Sequence, residues 1–188
     1  IGYISRIEPK KGWETFIKAA KQLVEKKEIN NLKLLIVGDG TEKNAALELI
    51  TTFDLNQYID YRSLVSQKEL RYYYNALDVF CFPSERESLG LVGLEAMSCE
   101  IPCVISEIPG TLTYAKDKIN CLTFEPGNAD DLEDKIVKIY KMKPEEKEQM
   151  FLRQIETVSQ FDSEKLKKSF IKDFQELVWG NENDMEIH

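Results

Sequence analysis

The chain has 188 residues, 43% of them hydrophobic, which is enough for one domain with a full core. Its 25 lysines and arginines are outnumbered by 33 aspartates and glutamates, a formal net charge of −8. That balance excludes nucleic-acid binding by bulk electrostatics, which needs a basic face, but permits an anionic small ligand where a few cations dominate one cleft.

In chain order, Ile1–Ser5 reads as a short apolar strand and Arg6–Gly12 as a loop with three basic residues. Trp13–Lys26 is a predicted helix, because Trp13, Phe16, Ile17, Ala20, Leu23 and Val24 recur at helical spacing. Leu32–Gly38 is a buried strand, and Thr41 is placed to cap the helix that follows to about Thr52. Tyr58–Tyr61 is a weak strand. Ser66 and Glu69 have capping-box spacing and open a helix through Ala76. Strands at Asp78–Phe82, Pro102–Ser106 and Asn120–Phe124 follow, with a helix from about Gly90 to Ser98 and a short one ending near Lys116. Asn128 is the expected N-cap of a helix over Ala129–Lys141. Pro144 starts another helix, and Ser163 a last one to about Trp179.

Strands alternating with helices predict an α/β fold, a Rossmann-like three-layer domain with a mostly parallel sheet of about six strands. Residues 1–160 form the expected main unit, and 161–188 a C-terminal helix and frayed tail. Arg6, Gly38, Pro83 and Ser106 each follow a strand, so their loops should share one rim, where such sheets bind ligands.

The stretch Pro83–Pro102 is the most informative. It has an acidic entry, glycines, and two carboxylates, Glu87 and Glu95, with seven residues between them. A strand end, tight loop and helix start there would aim free N–H groups and a helix dipole at one anion. Paired acids suggest glycoside hydrolysis, but eight helical residues rise about 12 Å, too far for a retaining-hydrolase pair. The spacing suits holding two parts of one ligand. Glu85 is a third acid of this entry. Glu95 has apolar neighbours nearly all round, so its carboxylate must find donors. Arg6 and Lys11 read either as a phosphate site or as an exposed basic turn. Gly38-Asp39-Gly40 lacks the third glycine of a dinucleotide fingerprint, where Lys43 stands, and reads as a tight turn. The run Tyr72-Tyr73-Tyr74 cannot stack on one helix face, so one or two of these are core. The only histidine is His188, which removes histidine-based nucleophiles and metal sites. Cys81, Cys99, Cys103 and Cys121 form no C-x-x-C pair and read as reduced core thiols. No apolar run is long enough for a bilayer-spanning helix. Residue 1 looks like the inside of a strand, so the chain is expected to be a fragment.

Three ordered motifs carry a resemblance: Gly2, Arg6, Lys11 and Gly12; Val37–Gly40; and Phe82–Pro102 with its two glutamates. From Gly2 to about Lys141 the chain resembles the C-terminal, donor-binding domain of family 4 retaining glycosyltransferases, one half of the GT-B architecture. The resemblance implies a nucleotide diphosphate sugar as donor, a UDP-sugar by family habit, and a glycan or lipid-linked acceptor in polysaccharide biosynthesis. It implies Arg6 and Lys11 on the diphosphate, Glu87 on the donor sugar and Glu95 on the ribose. Backbone amides of Leu89, Gly90, Leu91 and Val92 would meet the sugar and distal phosphate. Gly38 and Gly40 would line the nucleotide, and the base would lie near Ser63 and Leu64. No metal or other cofactor is implied. The implied setting is cytoplasmic, with peripheral association of a longer protein at the inner membrane face. The N-terminal acceptor domain is expected to be absent, so the chain alone should bind nucleotide without transferring sugar. A GT-B epimerase or phosphorylase, and a non-catalytic nucleotide-binding domain, are the rivals. The sequence departs from the family at Ser88, at Glu100, at Thr111–Thr113 and near Lys118 and Cys121, where glycines or a glutamate are usual. These departures bear on donor-sugar selectivity more than on the fold.

Overall fold

The computed structural model describes residues 1–63 and 65–161. Leu64 and the helix expected from Ser163 lie outside the described residues. Six strands form one sheet in which every pairing is parallel: β1 (Gly2–Ile4), β2 (Leu34–Val37), β3 (Ile59–Arg62), β4 (Phe80–Phe82), β5 (Cys103–Ser106) and β6 (Leu122–Phe124). Their spatial order is β3-β2-β1-β4-β5-β6. This is the Rossmann-like arrangement, in which the chain winds outward in one direction from β1 and in the other from β4.

The helices are α1 (Trp13–Lys26), α2 (Lys43–Thr52), α3 (Gln67–Asn75), α4 (Leu91–Ser98), α5 (Ala129–Lys141) and α6 (Pro144–Gln160). A short 3-10 turn covers Thr111–Thr113. Successive strand residues point to opposite faces, and that alternation divides the core in two. Tyr3, Leu34, Ile36, Cys81 and Val104 join the apolar faces of α1 and α5 on one side. Ile4, Val37, Phe80, Phe82, Cys103 and Ile105 meet Tyr74, Leu94 and Met97 on the other. Phe80 and Phe82 are fully buried; removing each from water contributes roughly 1.5–3 kcal/mol.

The helix starts mostly follow the expected chemistry. Asn128 accepts from the Asp131 N–H at 3.0 Å, and Glu69 accepts from the Ser66 N–H at 3.0 Å. Thr41 is a correction. Glu42 is the N-cap of α2 and provides no side-chain cap. Thr41 instead donates its hydroxyl, at 2.6 Å, and its backbone N–H, at 3.0 Å, to Glu8 of the neighbouring loop. Glu100 and Lys118 adopt left-handed backbone, with φ of 57° and 59°, against the side-chain preference for other regions. Cys81, Cys103 and Cys121 are buried, Cys99 is half-buried, and all four are free thiols. Burial pushes Cys81 and Cys121 up to about 12.

Candidate functional site

Parallel strands place the loops after β1, β2, β4 and β5 on one rim. The winding direction reverses between β1 and β4, which opens a crevice there. It holds a cleft of about 550 Å³. The two central loops are locked together. The Glu85 N–H donates to the Lys10 carbonyl at 2.9 Å. Gly12 has φ 73°, and a Cβ on it would lie 1.8 Å from the Pro83 carbonyl oxygen. Only glycine allows this turn and this approach together.

That closure brings Lys11 to Glu87, with Nζ to Oε1 at 2.7 Å and side chains 16% and 14% exposed. Both line the cleft. The hydroxyl of fully buried Ser84 reaches the same Oε1 at 2.8 Å. Arg6 also lines the cleft; it is exposed and forms no ion pair among the described residues. Leu89 to Val92 also line the cleft, and Gly90 caps α4 there with no side-chain hydrogen bond. The positive end of the α4 dipole therefore faces the cavity. Glu95, one turn further along, lines it too. Its apolar setting is answered by the hydroxyl of buried Tyr74, which donates to Oε2 at 3.0 Å.

The remaining predicted residues divide. Gly38 lines the cleft, but Gly40 does not. Both are close-approach positions: a Cβ on Gly38 would meet the Ser5 carbonyl at 1.9 Å, and one on Gly40 the Ile7 carbonyl at 2.2 Å. They seat the Arg6 loop. Ser63 is exposed and outside the cleft lining. It accepts from Lys43 Nζ at 2.8 Å, and Lys43 also bonds Asp39 at 3.0 Å. Asp39 does line the cleft, and the Lys43 ammonium, with the Gly40 N–H, holds its carboxyl below the usual range. Leu64 lies outside the described residues. Glu85 turns away, to pair with Lys10 at 2.8 Å.

Four tyrosines not foreseen as part of the site brace its segments. Tyr3 donates to the Arg6 carbonyl at 2.9 Å, Tyr61 to that of Gly38 at 2.7 Å, and Tyr114 to that of Gly90 at 2.9 Å. Tyr74 is the fourth. Burial raises all four hydroxyls, so they stay protonated donors. Tyr72, by contrast, is 64% exposed. Spacing could have marked Tyr74 as the core member of its run, but not its partner. Among the described residues no group of three or more His, Cys, Asp and Glu could hold a metal ion, and no helix is long and apolar enough to cross a membrane.

A family model of glycosyl transferases group 1 matches residues 1–156. The chain is 30% identical to the capsular polysaccharide biosynthesis glycosyltransferase CapM of Staphylococcus aureus, over 74% of this chain and 36% of that one. It is 27% identical to a 2-deoxystreptamine N-acetyl-D-glucosaminyltransferase of Niallia circulans, over 73% and 35%. It thus spans about a third of the length of these curated relatives. The fold matches that of HepE from Anabaena, solved in complex with UDP, with a TM-score of 0.81 at 21% identity, covering 93% of this chain and 48% of that one. With the family model matching most of its length, the chain belongs to the glycosyl transferases group 1 family.

Proposed function

We propose that this chain is the donor-binding half of a retaining, metal-independent glycosyltransferase that uses a UDP-sugar in polysaccharide biosynthesis. Residues 1–160 form the donor unit, and the glycan or lipid-linked acceptor and further catalytic groups belong to a region outside this chain. The observation that carries the reading is the Lys11–Glu87 pair, closed across the β1 and β4 loops beside the α4 N-terminus. It puts a cation, a carboxylate and a helix dipole at one cavity, which suits an anionic leaving group joined to a hydroxyl-rich sugar.

In this reading the diphosphate lies between Arg6, Lys11 and the amides of Leu89 to Val92. As the sugar–oxygen bond breaks, charge builds on the departing nucleoside diphosphate, and these fixed donors stabilise it. Glu87 accepts from donor-sugar hydroxyls and Glu95 from the ribose. The base lies towards Ser63 and Leu64. The incoming acceptor attacks on the face that the nucleotide leaves, so configuration is kept without a protein nucleophile. Two relatives lend support: CapM by its role in capsular polysaccharide biosynthesis, and HepE by the UDP in its complex.

A thermal-shift panel of UDP, GDP, ADP and their sugar conjugates tests this, since a ligand of the folded state raises Tm by mass action. UDP compounds should stabilise selectively, and equally well with EDTA. No response to any of the three diphosphates sinks the reading. Detectable sugar transfer by the chain alone would contradict the assignment of missing catalytic groups.

A further inference from the structure

Ser84 has no part in the roles assigned so far, yet its side chain is fully buried beside the cleft. Its hydroxyl oxygen lies 2.8 Å from Glu87 Oε1, 3.1 Å from the Lys10 carbonyl and 3.3 Å from the Arg86 carbonyl. A hydroxyl carries one proton, and the nearest acceptor here is also the charged one, which makes the stronger bond. Glu87 Oε1 accepts from Lys11 Nζ as well, at 2.7 Å. Two donors thus converge on one oxygen. Among the described residues no hydrogen bond reaches Oε2, and Glu87 lines the cavity. Oε1 is the anchored atom and Oε2 the presented one.

The two anchors differ in mobility. Lys11 ends a flexible four-carbon stem with three rotatable donors, and a bound diphosphate would draw it away. Ser84 has one short rotor in a braced backbone. Its carbonyl accepts the Ser106 hydroxyl, and the Ser106 carbonyl accepts the Thr111 hydroxyl at 2.6 Å. Gly110 sits against the same loop, so close that a Cβ there would lie 2.3 Å from the Glu87 carbonyl oxygen. The loops after β4 and β5 hold Ser84 where it is.

We propose that Ser84 is a positioning residue for the sugar end of the site: it keeps Glu87 Oε1 in place when Lys11 turns to the diphosphate, so that Oε2 stays directed at the donor-sugar hydroxyls. The proposal rests on the donor-site reading above. It separates the cleft into a nucleotide end that does without Ser84 and a sugar end that depends on it.

The test is calorimetric titration of UDP, UDP-glucose and UDP-N-acetylglucosamine into the wild type, Ser84→Ala, Glu87→Ala and the double variant. Ser84→Ala should keep UDP affinity within about twofold and lower the ratio of UDP-sugar to UDP affinity roughly tenfold, as expected for losing a hydrogen bond to a charged group. In the Glu87→Ala background the same substitution should change that ratio no further, since its effect runs through Glu87. Equal weakening of UDP and both UDP-sugars, or an effect undiminished without Glu87, would mean a scaffold role and overturn the proposal. Should Ser84→Ala fail to fold, Ser84→Cys keeps the shape with a weaker donor and must shift the ratio in the same direction. A wild type that binds UDP with the same UDP-sugar ratio as Ser84→Ala refutes this proposal alone. A wild type that binds none of the three compounds refutes the donor reading with it.

Discussion

Lys10 and Lys11 are consecutive, and they pair with Glu85 and Glu87 of one facing loop at nearly equal distances, 2.8 and 2.7 Å. Their surroundings differ. Lys10 and Glu85 are 67% and 35% exposed, whereas Lys11 and Glu87 are 16% and 14% exposed. The outer pair sits in water, where Coulomb attraction is screened and two long side chains must be ordered to gain it. The inner pair is shielded, shares the Ser84 hydroxyl, and borders a cavity. Residue type and separation are alike in both pairs, so neither says which carries function. Burial and the third partner set them apart.

The contrast makes graded predictions. The largest effect belongs to Gly12, whose approach to Pro83 holds the two loops, and hence both pairs, together. Gly12→Ala combines a disfavoured φ with overlap of a carbonyl oxygen, and should cost roughly 2–4 kcal/mol in urea denaturation. Wild-type stability would mean the loops are not closed as described. Next is Glu87→Ala, which leaves a shielded ammonium without its carboxylate and turns the Ser84 hydroxyl to the more distant Lys10 or Arg86 carbonyl, at about 1–3 kcal/mol. Glu85→Ala should show no resolvable loss, and equal losses would erase the distinction between inner and outer pair.

Smallest is a pH effect at the outer rim. Lys43 holds Asp39 below the usual carboxylate range, and Asp39 raises Lys43. A depressed carboxylate contributes stability above its unfolded pKa and loses it as pH falls through the folded value; a raised lysine contributes below its unfolded pKa and loses it as pH rises through the folded value. The pair is therefore intact at neutral pH. Between neutral and acid pH the wild type should lose slightly more stability than Asp39→Asn. An identical acid limb in denaturation curves would remove Asp39 from this account.

Much of the fold was legible because it rests on local rules. Short continuous apolar runs placed the strands, 3.6-residue spacing placed α1, and Asn128, Ser66 and Pro144 marked helix starts. Thr41 was misread because a capping residue chooses among all nearby partners, and Glu8 of another loop takes its hydroxyl. At the site, Arg6, Lys11, Glu87, Glu95 and the Leu89–Val92 backbone do share one cleft. Ser84, Tyr74 and Tyr114 were not legible as their supports. Their partners are 3, 21 and 24 residues away, and for the tyrosines only the packing of α3 and of the Thr111–Thr113 turn against the α4 region brings them into reach. Gly40 and Ser63 stand outside the lining: Gly40 sits against the Ile7 carbonyl, and Ser63 accepts from Lys43 at the rim.

The most direct measurement is titration of UDP into the wild type, Lys10→Ala and Lys11→Ala in EDTA-containing buffer. The account predicts that Lys10→Ala binds within about twofold of the wild type, while Lys11→Ala loses at least roughly tenfold, the scale of one charge-assisted phosphate contact. Unchanged affinity in Lys11→Ala, or equal loss in both variants, would contradict it.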